Sequence, residues 1–262
     1  MHTTIRPPTL SLKWPTFFLG LALGGFFDGI LLHQILEWHH LLSNVDAARD
    51  MRTQLLADGL FHALMYVVAV IALHQLWKRR TAMAGQGQGF ALGGWALLGF
   101  GTWHVIDAVV SHWITGIHRI RMDSPQPLLW DLIWFVFFGL APMLLGWWLL
   151  RRDHKTGGGA HAVAASLALA AVVAGPVAAL PAANADANGQ TLVMFAPGVS
   201  PGEAFHALAE AEARVVWVDA SGGLWAVTLA DRSAAWGLYG RGALLVSGSA
   251  VSMGCFSWSR AG

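Results

Sequence analysis

Apolar residues fall in five long blocks along this chain, at roughly 15–36, 55–77, 89–115, 127–150 and 160–181, with short polar loops between them. Each block is close to the ~20 residues that carry a helix across the hydrocarbon of a bilayer, so the pattern predicts five transmembrane helices. Past them the period shortens. "TLVMFA" reads as a strand, and Ser200-Pro201-Gly202-Glu203 is a capping box with proline at the first helical position, opening the helix "AFHALAEAEA". "RVVWVD" and "LWAVTLA" flank Ala220-Ser221-Gly222-Gly223 as a hairpin, "SAAWGLYGRG" is a short helix, and "ALLVSGSAVSMGCFS" supplies closing strands. The order β-α-β-β-α-β predicts a small α+β, ferredoxin-like domain. The chain therefore divides into an N-terminal segment (1–14), a four-helix bundle (15–155), a fifth helix with its linker (156–189) and a terminal domain (190–262).

Composition agrees with the membrane reading. Of 262 residues, 55% are apolar and 12% charged, with a mean hydropathy of +0.52, against roughly 25% charged in soluble domains. Fourteen Trp, many near the ends of apolar blocks (Trp14, Trp77, Trp113, Trp130, Trp147), fit aromatic belts at the membrane interfaces. A net charge of +1 gives no electrostatic footprint for nucleic acid. Arg6 and Lys13 precede the first block, Lys78-Arg79-Arg80 follow the second, and Arg151, Arg152 and Lys155 follow the fourth, against Arg49, Arg52, Arg119 and Arg121 on the other side. Positive residues stay inside, so the N-terminus is expected in the cytoplasm and the terminal domain in the periplasm, with the first span acting as a signal anchor. The fifth block ends in a small-residue A-x-A pattern that also describes a processed signal; the uncleaved, tethered form is the expectation.

The chemistry lies where a bilayer disfavours it. Asp28, His33, Glu37, His39 and His40 sit in or at the end of the first span, Asp58 and His62 in the second, His104, Asp107 and His112 in the third with His118 beyond it, and Asp131 in the fourth. A repeat organises them. Adding 79 to the residue number carries Asp28, His33 and His39 onto Asp107, His112 and His118, and adding 73 carries Asp58 onto Asp131. The spacing Asp-x4-His-x5-His thus occurs twice, and the bundle reads as two copies of a two-helix hairpin related by an axis along the membrane normal. Alternating direction brings all these groups to the outer half. On α-helical spacing, His33, Glu37 and His40 form one stripe, His104, Asp107 and Ser111 another, and Asp58 with His62 an i, i+4 chelating pair.

A lone polar residue in a span is usually a hydrogen bond between helices. A dozen at one membrane face point to a metal site instead, since imidazole and carboxylate suit copper and iron, and also zinc. Spacing does not choose among them. Haem held by facing pairs such as His33/His112 or His62/His104 is the weaker alternative, because so many carboxylates share the site. The single Cys255 excludes an intramolecular disulfide and any CxxC motif.

"GGFFDGILLHQILEWHH" together with "DGLFHA" resembles a bacterial membrane family known as domain of unknown function 2243, over roughly residues 15–150. The resemblance implies a four-helix, His-rich core with no assigned activity, to which the fifth span and outer domain are an extension. It also implies a loose link to gene neighbourhoods of haem-copper oxidase and copper-handling proteins, which inclines the expected metal toward copper. The expectation is therefore an inner-membrane metalloprotein in contact with the lipid bilayer, acting as a redox enzyme or as an accessory to a respiratory oxidase. The competing readings are a metal or proton transporter, which would need ionisable groups continuing to the cytoplasmic side, and a metal-free structural subunit of a membrane complex.

Overall fold

The protein, a computed structural model, is described over residues 11–36, 38–48, 50–84, 88–151, 159–179, 190–229 and 234–247. Glu37, most of the N-terminal segment, the linker before residue 190 and the closing strands expected beyond 247, with Cys255, lie outside the described residues.

Four helices are long and apolar enough to cross a membrane: Lys13–His33, Arg52–Lys78, Gln88–Ile114 and Pro127–Arg151. They coincide with the first four blocks of the hydropathy pattern. In finer detail, α1 (Lys13–Asp28) runs into a π-helical segment Gly29–Ile35, and α2 (Met51–Lys78) is a single helix whose first turn is capped by the Asp50 carboxylate on Thr53 N. Next, α3 (Gln88–Ile106) runs into a second π segment, Asp107–Ile114, and α4 (Pro127–Trp134) joins α5 (Ala141–Arg151) through a third, Phe135–Leu140. The fifth block forms α6 (Ala160–Ala179), whose apolar core Ala160–Ala174 is shorter than the other four and packs by Ala160, Ala171 and Ala174 into the main core.

The closest helix crossing lies between α1 and α3. A Cβ built on Gly20 would stand 2.0 Å from the Ala96 carbonyl oxygen, and one on Gly99 would stand 1.9 Å from that of Phe17. These contacts are reciprocal, because 20 and 99, like 17 and 96, differ by 79. Only glycine lets the two backbones approach this far. Away from that seam the helices are apolar outward: Leu64, Val67 and Val70 of α2 and Phe137 and Leu144 of the fourth span are exposed, as suits lipid contact.

Both ends carry aromatic–cation pairs. At one end Lys13 lies over the Trp95 ring at 4.5 Å, Arg80 over Trp77 at 4.7 Å and Arg151 over Trp147 at 4.1 Å; at the other, Arg121 lies over Trp38 and Trp130 at 5.2 and 5.1 Å.

The remaining described residues form an antiparallel sheet in the order β2-β3-β1-β4, from β1 (Gln190–Phe195), β2 (Arg214–Val218), β3 (Leu224–Thr228) and β4 (Ala243–Ser247). Helices α7 (Pro201–Glu210) and α8 (Ala234–Tyr239) follow β1 and β3, and α7 carries the reciprocal Ser200/Glu203 capping box expected from its sequence. Alternation sorts the sheet's two faces. Val193, Phe195, Trp225 and Val227 meet the two helices, while Leu192, Met194, Leu224 and Ala226 pack against Leu55 and Leu56 in the first turns of α2. Arg52 pins that contact by donating to the Phe195 carbonyl at 3.1 Å. The β2–β3 turn is closed by the Asp219 carboxylate, which accepts from the amides of Gly223 and Leu224 at 2.9 and 2.8 Å.

Candidate metal centre

An α-helix turns residues i and i+5 away from each other, so the Asp-x4-His spacing would not converge if both spans stayed α-helical. They do not stay so. A π segment, bonded i to i+5, begins just after Asp28 in the first span and at Asp107 in the third. Both unwind identically at their ends: Leu36 N bonds Leu31 O at 2.8 Å and Trp38 N bonds Leu32 O at 2.9 Å, while 79 residues on Thr115 N bonds Val110 O and Ile117 N bonds Ser111 O, each at 2.9 Å. Such segments are rare and mark functional sites more often than chance. Here they bring the Asp and the first His of each motif together and turn the chain so that the second His folds back from the loop.

Two clusters result. Asp28, His33 and His39 form one and Asp107, His112 and His118 the other, each offering three ligand atoms within 4.8 Å of one another. The clusters are adjacent, with the His39 and His118 rings stacked 4.5 Å apart and 7° from parallel. Nε2 of the four histidines, Asp28 Oδ1 and Asp107 Oδ2 are buried without a hydrogen-bond partner, as are Nε2 of His62 and His104, although His112 Nε2 stands 3.0 Å from Asp107 Oδ2 and His118 Nε2 3.4 Å from Asp107 Oδ1. Unpaired donors and acceptors at this depth are costly unless something binds them.

The outward nitrogens are held. His33 Nδ1 faces Asp58 Oδ1 at 3.1 Å and His112 Nδ1 faces Asp131 Oδ1 at 3.0 Å. His39 Nδ1 donates to the Ile120 carbonyl and His118 Nδ1 to the Leu41 carbonyl, both at 2.9 Å. With Nδ1 donating to a backbone carbonyl, the neutral His39 ring keeps its lone pair on Nε2. Burial, with the neighbouring His118 and His33 imidazoles, holds His39 well below the usual histidine range, so its ring is neutral. Each loop histidine is thus oriented by a carbonyl from the opposite half of the bundle. Asp58 and Asp131 also accept from the amides of Leu41 and Ile120 at 2.9 and 3.0 Å. The two loops at this end are tied further by Asn44 N on Ile117 O and Met122 N on Trp38 O.

The expected site residues therefore separate into groups. Six form the clusters, and Asp58 and Asp131 stand behind them. His40 donates from Nδ1 to Asp58 Oδ2 at 2.6 Å and lies in the loop, not on a helical stripe with His33. His62 does not chelate with Asp58: its Nδ1 donates to the Asp58 backbone carbonyl at 2.8 Å while its ring stacks near Phe26 and against Gly29. His104 leaves the stripe expected with Asp107; it accepts the Trp134 indole N–H on Nδ1 at 3.1 Å among Phe27, Phe100 and Phe138. Glu37 lies outside the described residues. None of the other eleven is more than 8% exposed, so the site is dry. Two participants had not been singled out. Trp103 donates its indole N–H to Asp28 Oδ2 at 3.4 Å, and Arg119 donates to Asp131 Oδ2 at 2.9 Å. For Arg119 a signal existed, since the shift of 79 carries His40 onto it.

Residues 15–153, more than half of the chain, match a family described as a predicted membrane protein, domain of unknown function 2243. No curated protein and no solved structure matches.

Proposed function

The chain belongs to the domain of unknown function 2243 family of predicted membrane proteins, and from that premise we propose that it is an inner-membrane metalloprotein whose Asp28–His33–His39 and Asp107–His112–His118 clusters bind a redox-active transition metal. The observation that carries this is two triads of buried His and Asp atoms gathered within ligand reach of one another, with imidazoles already held from behind by carboxylates or by carbonyls. That is how proteins prepare histidine for a metal. Two histidines and one carboxylate per cluster favour iron, the metal of facial-triad oxygen chemistry, over copper and zinc. Haem held by His33/His112 or His62/His104 is the weaker alternative, because so many carboxylates share the site. The role follows as redox enzyme or accessory to a respiratory oxidase.

Orientation is part of the same proposal. Lys13, Lys78, Arg79, Arg80 and Arg151 gather at the end away from the clusters, which supports a cytoplasmic face there and a site near the periplasmic side. The β-α-β-β-α-β order and the β2-β3-β1-β4 sheet support a ferredoxin-like periplasmic domain, seated on the start of α2 at the clusters' own end. On this reading α6 is the fifth span.

Elemental analysis of the detergent-purified protein, with an optical spectrum of the same sample, tests the proposal. Near-stoichiometric iron or copper without a Soret band is expected, and its loss in His33→Ala and His112→Ala. A metal-free protein from cells grown with ample supply would leave a structural polar network as the better account.

A further inference from the structure

The repeat that relates the two clusters fails at one position in the shell behind them. Asp58 and Asp131 have two matched partners: a cluster imidazole at 3.1 and 3.0 Å, and a loop amide at 2.9 and 3.0 Å. The third partner differs. Asp58 Oδ2 takes a hydrogen bond from the His40 imidazole at 2.6 Å, and Asp131 Oδ2 takes one from the Arg119 guanidinium at 2.9 Å. Residues 40 and 119 are equivalent under the shift of 79, so one fold position holds an imidazole in one half and a permanent cation in the other.

The consequence is electrostatic. A carboxylate behind a ligating histidine raises that histidine's basicity and favours the bound cation. Arg119, its side chain 35% exposed, offsets part of this at Asp131, and it sets a fixed positive charge behind the second cluster. The equivalent position in the other half, residue 40, holds an imidazole, which carries no permanent charge. The first cluster therefore has Asp58 behind His33 with no permanent cation on it, while the second has Asp131 behind His112 bonded to one.

Nor are the clusters independent. His39 is oriented by Ile120 O and His118 by Leu41 O, each across the seam, and the two rings stack on each other. Resting on the metal reading above, we propose that the clusters form one two-metal centre with unequal halves, the Asp28–His33–His39 half binding a divalent cation more tightly than the Asp107–His112–His118 half, with His40 and Arg119 as the positioning residues that set the difference.

The test is equilibrium dialysis of the metal-stripped, full-length protein in detergent against ferrous iron under anaerobic conditions, reading bound metal against free metal. The expected isotherm has two steps of one ion each, separated by about 10-fold or more, the scale on which partners behind a ligand act. Arg119→His should tighten the weaker step and narrow the gap, and His40→Arg should weaken the tighter step. A gain of affinity in Arg119→His is not a result that structural damage can produce. Two ions bound in one unresolved step, or a gap unmoved by Arg119→His in a folded protein, would overturn the inequality. A single ion per chain would overturn the pairing while leaving the metal reading intact. No uptake at any concentration would overturn the metal reading itself and this inference with it.

Discussion

Asp58 and Asp131 stand directly behind the two clusters, each against the first histidine of its motif. Each carries a negative charge into a dry interior, where it is stable only with good partners, and each spends one oxygen on a cluster histidine and the other on His40 or Arg119. Asp58→Asn or Asp131→Asn keeps the shape and removes the charge. The expected outcome is a protein that folds and inserts but holds metal about 10- to 100-fold more weakly, measured by competition with a chelator of known affinity. His62→Ala and His104→Ala, whose rings lie with Phe26 and with the Phe100–Trp134–Phe138 group, should leave metal content unchanged in the same assay. At this scale the sequence was informative about side chains that recur and silent about the backbone. Asp28, His33 and His39 stand out because they reappear 79 residues later. The carbonyls of Leu41 and Ile120 orient two of the four imidazoles, yet every residue has a carbonyl, so no residue type announces that role.

At the scale of elements, the spans were legible because lipid imposes a long apolar run, and the described helices start and stop within a few residues of the expected blocks. The π segments were not. A π turn adds no distinctive residue, and its only trace was an Asp–His spacing of five that α-helical stripes could not reconcile. That is why His33, Glu37 and His40 looked like one face when the helix in fact ends at Ile35 and His40 arrives from a loop. Packing at the Gly20/Gly99 crossing sets where these segments meet. Gly20→Val would drive a side chain into the Ala96 carbonyl, separating α1 from α3 and with them the two clusters. Scanning fluorimetry should show a lowered melting temperature, and elemental analysis a loss of metal. Gly93→Ala, also in α3 but with open space around its Cβ, should leave both unchanged or raise stability slightly, by at most about 1 kcal/mol.

At the scale of the molecule, two attachments decide how the parts act together. One is the seat of the sheet on α2, where Leu192, Met194, Leu224 and Ala226 cover Leu55 and Leu56 and Arg52 reaches the Phe195 carbonyl, all within two turns before Asp58. Leu55→Asp/Leu56→Asp should expose that sheet face, detected as faster amide exchange over 192–195 and 224–227 with the helical signal of the spans unchanged. The composition of the outer strands revealed alternation but not which face meets the membrane part, because both faces are apolar. The other attachment is the exchange of histidine partners between halves. The loop over 38–48 supplies Leu41 O to His118 and the loop after residue 114 supplies Ile120 O to His39, so each half completes the other's cluster. A chain divided within 85–87, between the two hairpins, tests this directly. Residues 1–84 alone contain Asp28, His33 and His39, and would bind metal if a cluster needed only its own ligands. Without Ile120 O, the His39 ring has no fixed tautomer or direction, and without the stacked His118 it has no partner across the seam. The fragment expressed alone should therefore retain no metal through purification. Co-expressed with residues 88–262 it should regain the uptake of the intact chain, because the reciprocal bonds join different fragments and do not depend on the severed link. Metal held by the first fragment alone would show that the halves merely touch, and the twofold relation would then be a record of duplication with no part in building the site.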